Sequence, residues 1–216
     1  MKKKNFDILL FIAIIVISIF GIIMITSASY IWAEYKFNDP FKFTKNQGLF
    51  FIIGIIMMII ISKIDYRIYY EKCNMILIGC ICLLVLVLIP GIGAVRNGSR
   101  SWFGIGSFGV QPSEFTKLAL IIFTSKYLQK NEKILKNIKN GVLPILGITI
   151  FIFGLIMLQP DFGTGTIIVM SIIGLLFVGG VKFGFFLKIG VVGLIGIIGL
   201  ILIAPYRLAR ILSFLD

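Results

Sequence analysis

Long uncharged apolar runs alternate with short polar and basic segments along the whole chain. The runs predict seven helices, at approximately residues 8–28, 46–62, 74–89, 112–128, 142–158, 164–180 and 185–204. The first run, Ile8–Ile25, spans about 27 Å as a helix, nearly the thickness of a hydrocarbon core. It is longer than the roughly 7–15 apolar residues of a signal peptide, so we expect it to be retained. The pattern predicts an all-α fold, a polytopic transmembrane helix bundle forming a single membrane domain over residues 1–216.

Composition supports a membrane protein and excludes several kinds of catalytic and metal site. Hydrophobic residues make up 59% of the chain and charged residues 14%, against about 45–50% and about 25% in soluble domains. There is no histidine, which excludes histidine metal sites and Ser-His triads. Cys73, Cys80 and Cys82 fall in or beside one apolar run, which is typical of small buried hydrophobes and not of a disulfide framework.

The net charge of +12 comes from lysines and arginines in the connectors between apolar runs. This distribution indicates positive-inside topology, so we expect membrane lipids and no nucleic acid as partners. Placing the N-terminus in the cytoplasm puts thirteen of the 21 basic residues on the inner side, leaving 21 − 13 = 8 outside. Eight are more than topology favours, which indicates a bound anion on the outer side: Lys36, Lys42, Lys45, Arg96, Arg100, Lys117, Arg207 and Arg210.

The segment Gln111-Pro112-Ser113-Glu114-Phe115-Thr116-Lys117 is the sharpest local motif. Proline at the first helical position fits a helix start. Glu114 in the first turn is favoured by the helix dipole, and Lys117, three residues on, shares its face. An ionisable residue below the membrane entry point is a functional candidate, yet a structural Glu–Lys pair steadying a helix end fits the spacing equally well.

Two further motifs carry candidate ligands. Gln159-Pro160-Asp161-Phe162-Gly163-Thr164-Gly165 places one carboxylate at the mouth between two helices, where it either binds a ligand or caps the sixth helix. The Gly-rich segment 91–110 predicts a structured loop with two arginines. These arginines, and two near the end of the chain, either grip phosphate oxygens or pair with lipid headgroups: Arg96, Arg100, Arg207 and Arg210.

These three motifs, in this order, resemble the SEDS family, which comprises FtsW, RodA and SpoVE. The resemblance covers essentially the whole chain. Ser27-Ala28-Ser29, Asp65-Tyr66 and Pro205-Tyr206-Arg207 are most similar to the FtsW/SpoVE branch. Phe162 stands where the family more often has leucine, a conservative departure.

The resemblance implies a ten-helix peptidoglycan glycosyltransferase of the bacterial cytoplasmic membrane, acting in cell division or sporulation. Such proteins extend glycan strands on the outer face from lipid II, with a class B penicillin-binding protein as partner and a divalent cation, Mg²⁺ or Mn²⁺, as cofactor. Glu114 and Lys117 would line an outward-facing cavity, with Asp161 nearby. The remaining substrate or cavity residues that we expect are Gln111, Ser113, Arg96, Arg100, Arg207 and Arg210.

The family's catalytic aspartate lies in a later stretch, and Asp216 does not match it. We therefore expect seven of ten helices here, no catalytic residue, and no polymerisation by residues 1–216 alone. Two further functions stay open besides the glycosyltransferase, which makes three possibilities in all. A helix bundle with a buried charged pair also suits a transporter that flips lipid II, although no internal repeat is visible. The third possibility is a non-catalytic scaffold for division or sporulation partners.

Overall fold

A computed structural model of the chain describes residues 7–96, 98–104, 109–131, 135, 138–191 and 193. It separates into two compact units, Met1–Tyr66 and Arg67–Asp216. The α-helices are α1 (Ile8–Phe37), α2 (Lys42–Ser62), α3 (Tyr66–Leu88), α4 (Pro112–Lys130), α5 (Leu143–Met157) and α6 (Phe162–Val178).

Two smaller features join these helices. The π-helical turn Ile138–Val142 leads directly into α5. Strands β1 (Ala94–Arg96) and β2 (Ser99–Trp102) pair as an antiparallel hairpin between α3 and α4. Residues 183–191 are helical, while most of the predicted seventh helix beyond them lies outside the described residues. The all-α bundle is confirmed, and the hairpin is an addition that the sequence predicted only as a structured loop.

The first and third helices extend well beyond their apolar runs. The first continues to Phe37, past the predicted end at 28, and the third begins at Tyr66, ahead of the predicted start at 74. No glycine or proline interrupts either extension, so the backbone hydrogen bonds continue through polar residues. The first helix ends at Asn38, whose φ of 53° is left-handed and whose N–H donates to the carbonyl of Glu34. Apolar runs thus indicate the lipid-spanning part of a helix, not its full length.

In the first unit, aromatic and basic side chains order the connection between α1 and α2. Trp32 stacks on Phe43 with ring centroids 5.5 Å apart, and Lys36 Nζ lies 4.6 Å from the Trp32 ring. Lys45 donates a 2.8 Å hydrogen bond to Asp39, which holds the pKa of that exposed carboxyl below its usual value. Amphipathic tryptophan with flanking lysine is the composition expected where a helix leaves the membrane.

In the second unit, α6 packs closely against both α5 and α4. A Cβ added at Gly165 of α6 would lie 2.7 Å from Met157 Cε and 3.0 Å from Phe153 Cδ2, both of α5. Small residues at such a contact let helix backbones approach within lipid. The core that α4, α5 and α6 share includes the fully buried apolar side chains of Leu120, Ile152, Ile156, Ile168, Ile172 and Leu176.

The outward surface of the described helices is apolar. Leu9, Ile31 and Val178 are about four-fifths exposed, at 80%, 81% and 83%. Within the described part of the chain, four helical segments are long and apolar enough to cross a membrane: α1, α2, α3 and Ile138–Met157. Apolar surface on this scale requires lipid around it and not water. The chain is an integral membrane protein.

The close approach at Gly165 predicts a stability difference between two glycines of the same helix. Gly165→Leu forces a side chain against Met157 and Phe153, and overpacking of this kind costs about 1–3 kcal/mol in free energy of unfolding. Gly174→Leu is the matched control, because a Cβ there meets nothing within 4 Å. Thermal unfolding in detergent should show a lower Tm for Gly165→Leu alone, and equal Tm values for the two variants would contradict the packing.

Candidate functional site

Helix α4 differs from α5 and α6 because it carries charged residues near both of its ends. Pro112 is at its first position, as predicted, and Gln111 precedes it in an extended conformation. Its charged residues are Glu114, Lys117, Lys126 and Lys130, and its buried residues are Pro112, Ser113, Thr116, Ala119, Leu120, Thr124 and Leu128. At 3.6 residues per turn, Glu114 and Lys117 lie on a different side of the helix from Lys126 and Lys130.

Glu114 and Lys117 form an ion pair one turn into α4. Lys117 Nζ lies 2.8 Å from Glu114 Oε2, and the two side chains are 26% and 53% exposed, respectively. The neighbouring Ser113 and Thr116 are fully buried, so the pair lies on the accessible side of the helix. An exposed pair contributes at most about 1 kcal/mol to stability. The stability that the pair contributes is therefore too small to explain why two charges lie near the end of a membrane helix. The outward-facing cavity that we expect around them stays a prediction.

A single carboxylate joins the starts of α4 and α6. Gln111 Nε2 donates to Asp161 Oδ2 at 2.6 Å and lies 3.5 Å from Thr164 Oγ1. The other oxygen, Oδ1, accepts the Thr164 backbone N–H at 3.2 Å, so Asp161 caps α6. Hydrogen bonds to a carboxylate are shorter and stronger than neutral ones. The two helix starts that carry the predicted motifs are therefore held together.

Two residues before Asp161, Gln159 connects α3 and the hairpin to the same turn. Its side chain is fully buried, and Nε2 donates to the Leu84 carbonyl of α3 at 3.2 Å. Its backbone carbonyl accepts a 2.5 Å hydrogen bond from Ser99 Oγ of β2. The sequence predicted no contact for Gln159 or Ser99, although both lie in segments that it singles out. The one sequence feature that could have indicated these contacts is the position of Gln159, a polar residue between an apolar run and a proline.

The hairpin holds both described arginines of the third motif. The Arg96 guanidinium lies 5.0 Å from the centre of the Trp102 ring, a cation–π distance. A Cβ on Gly109 would come within 2.7 Å of that guanidinium, so a larger residue there would displace the Arg96 side chain. Arg100 Nη1 lies 3.5 Å from the Leu88 carbonyl at the end of α3. Both arginines are thus held against defined neighbours.

The nine predicted site residues divide by how the structure places them. Gln111 is linked to Asp161, and Glu114 to Lys117. Ser113 is fully buried, and its hydroxyl has no hydrogen-bond partner among the described residues. Arg207 and Arg210 lie outside the described residues. Their roles toward a substrate, like that of Ser113, stay predictions.

The described carboxylates do not fit an all-protein metal site. In the part of the chain that the structure describes, no three His, Cys, Asp or Glu side chains are grouped to hold an ion. Glu114 already accepts from Lys117, and Asp161 from Gln111. Mg²⁺ commonly uses one or two carboxylates with substrate phosphates and water. The expected cation stays a prediction.

Comparison with known sequences identifies relatives over the whole chain. Residues 7–216 match the family of cell cycle proteins that comprises FtsW, RodA and SpoVE. Stage V sporulation protein E of Bacillus subtilis is 47% identical over 215 residues, covering 100% of this chain and 59% of the relative. A probable peptidoglycan glycosyltransferase FtsW of Legionella pneumophila is 35% identical over 199 residues, covering 92% of this chain and 50% of the relative. The chain thus spans about half to three-fifths of the length of these relatives.

Solved structures share the fold. One chain of a peptidoglycan synthase complex that coordinates polymerization and crosslinking aligns with a TM-score of 0.69 at 25% identity, covering 92% of this chain and 58% of that one. The rod shape determining protein RodA of Thermus thermophilus aligns with a TM-score of 0.57 at 23% identity, covering 82% and 58%. The motifs, the helix order and these matches agree, and the chain belongs to the FtsW/RodA/SpoVE family.

Proposed function

We propose that this protein polymerises peptidoglycan glycan strands from lipid II at the outer face of the bacterial cytoplasmic membrane, in cell division or sporulation. Relatives are named peptidoglycan glycosyltransferases, and one is a sporulation protein. The observation that carries the proposal is the partly exposed Glu114–Lys117 pair at the start of α4. A charged pair in this position suits a substrate that brings its own negative charge into the bundle.

The chemistry requires charge stabilisation at a leaving group. In glycosyl transfer the bond from the anomeric carbon to the diphosphate oxygen breaks, and a bond forms to the hydroxyl oxygen of the second sugar, which loses its proton. Negative charge grows on the departing diphosphate, and a fixed cation lowers the energy of that transition state. Lys117 supplies the cation, and Glu114, 2.8 Å away, orients it. We assign no general base among the described residues.

The hairpin arginines are two further candidates for binding phosphate oxygens. A guanidinium binds two phosphate oxygens at once, which a lysine does not. Arg96 and Arg100 are held by Trp102 and by the end of α3, respectively, so little conformational freedom is lost on binding. We assign them to the diphosphate of the donor or of the acceptor.

We infer that a class B penicillin-binding protein crosslinks the product strands. Similarity to one chain of a peptidoglycan synthase complex that couples polymerization to crosslinking supports this partner. The arrangement is also chemically reasonable, because strands made at the outer face are substrates for a crosslinking enzyme on that face.

The orientation follows from charge. With the N-terminus in the cytoplasm, α1 and α3 end outside, so the hairpin and the starts of α4 and α6 lie on the outer side. The basic segment after α4 then falls inside, as the positive-inside rule favours. This orientation brings Lys117 and Asp161 to the face where strands are polymerised.

Cysteine labelling tests the orientation. In a background lacking the native Cys73, Cys80 and Cys82, we expect Tyr35→Cys to react with a membrane-impermeant maleimide in intact cells. Lys63→Cys should react only after the membrane is permeabilised. Tyr35 and Lys63 are both exposed, so accessibility within the protein does not limit either reaction. The reverse labelling pattern would show that the N-terminus is outside.

Removal of the α4 ion pair tests the site. With the whole protein, lipid II and a divalent cation, we expect Lys117→Ala and Glu114→Ala each to slow glycan synthesis by about 10²-fold, the usual cost of losing a transition-state charge contact. Product length on gels measures the effect. Lys63→Ala is the control, because Lys63 is an exposed lysine at the end of α2, on the side that we place in the cytoplasm.

Two results would count against this assignment. Equal polymerisation by Lys117→Ala and Lys63→Ala would show that the ion pair has no part in the reaction. Movement of fluorescent lipid II across vesicles by the wild-type protein, without any polymer, would favour a transporter instead.

A double-mutant cycle tests whether the two helix starts are coupled. We expect Gln111→Ala and Asp161→Ala to be non-additive in free energy of unfolding by about 0.5–3 kcal/mol, because the 2.6 Å bond joins them. Asp161→Ala should cost more, since it also removes the cap of α6, worth about 0.5–2 kcal/mol. Chemical unfolding of the four proteins measures both quantities, and simple additivity would mean that the contact does not join the helices.

A further inference from the structure

A groove opens on the lipid-facing side of the second unit, between α3, α4 and α5. Its volume is about 350 Å³, and its lining is almost wholly apolar. The side chains that define it include Leu77 and Ile81 of α3, Phe123 of α4, and Ile148 and Phe151 of α5. Known small-molecule sites have volumes of about 300–1,000 Å³. The groove is therefore large enough to hold part of an apolar chain.

A smaller cavity of about 170 Å³ continues the groove toward the C-terminal end of α4. The two share Asn74 and Phe123 as lining residues. Beyond these shared residues the character changes, because the smaller cavity is lined by Lys126, Tyr127, Lys130 and Asn131. One continuous depression is thus apolar along most of its length and cationic at one end.

Lys126 is held in place at that end. Its Nζ donates to the Tyr70 carbonyl at 2.8 Å and to the Glu71 carbonyl at 3.3 Å, and it lies 4.9 Å from the Tyr70 ring. An ammonium group has three donors, so a third remains beyond these two contacts. Lys130, one turn further along α4, is exposed.

We propose that this depression binds one anionic phospholipid, with the phosphate against Lys126 and Lys130 and an acyl chain in the apolar groove. Charge complementarity selects this occupant. A free anion would leave the apolar part unfilled, and a zwitterionic phospholipid would bring its own cationic group, as well as a phosphate, to the lysines. A protein helix would have to match both the apolar groove and its basic end.

The location agrees with the distribution of such lipids. On the orientation proposed above, the C-terminal end of α4 faces the cytoplasm, where anionic lipids give the leaflet its negative surface potential. The site therefore lies on the side opposite to the Glu114–Lys117 pair, and it is separate from the proposed reaction. A bound lipid would fill the space between three helices that carry the catalytic surface at their other end.

Native mass spectrometry of the whole protein in detergent provides the test, with equal amounts of phosphatidylglycerol and phosphatidylcholine of identical acyl chains. We expect phosphatidylglycerol to be retained in preference. Gly147→Leu should abolish retention, because Gly147 lines the groove and a Cβ there meets nothing within 4 Å, so the new side chain occupies the lipid space. Lys130→Gln should lower the preference about fivefold, the contribution of one lysine near an anionic headgroup.

Two control variants separate the lipid site from general effects. Gly174→Leu adds the same side chain to an open position of α6, and Lys182→Gln removes an exposed lysine elsewhere. Both should retain lipid as the wild type does. Equal retention by Gly147→Leu and Gly174→Leu would overturn the proposal, as would equal retention of the two lipids by the wild type. A Tm for Gly147→Leu below that of Gly174→Leu in lipid-free detergent would identify a helix as the occupant and would also overturn it.

Discussion

The hydrogen bond from Gln111 to Asp161 fixes the arrangement on which the candidate site depends. Apolar side chains gain little by leaving lipid for another helix, so polar contacts and close packing decide which helices meet. Asp161 binds the starts of α4 and α6, and Gln159 binds α3 and the hairpin from the same turn. Four elements therefore meet at one short polar segment. The ion pair of α4 lies one turn from it, on a helix whose start cannot shift without breaking these bonds.

The sequence predicts well those structural features that depend on residues close together in the chain. The apolar runs predict each long helix because a lipid span needs a fixed length of uncharged chain. Pro112 marks the start of α4 because proline lacks the donor that a helix start leaves unpaired. Glu114 and Lys117 were expected on one face, and the 2.8 Å contact follows from helical spacing alone. Capping of α6 by Asp161 is equally local.

Contacts between residues far apart in the sequence could not be predicted in this way. Gln159 reaches Leu84 across 75 positions and Ser99 across 60, and no periodicity encodes either pairing. The hairpin was not predicted as strands because its two strands are only three and four residues long. Helix ends were misplaced where polar residues continue a helix into the interface, as at Phe37. The apolar groove arises from three helices together, so no single segment indicates it.

The two tryptophans of the chain, Trp32 and Trp102, each lie beside a cation, and they belong to different compact units. Lys36 is 4.6 Å from the first ring and Arg96 is 5.0 Å from the second. The fluorescence emission of a tryptophan ring depends on charges as close as these. Within residues 1–216, a Trp32→Phe variant would keep one tryptophan, Trp102, on the hairpin that carries both described arginines. The emission of Trp102 would then report any movement of Arg96 relative to its ring, with no attached dye.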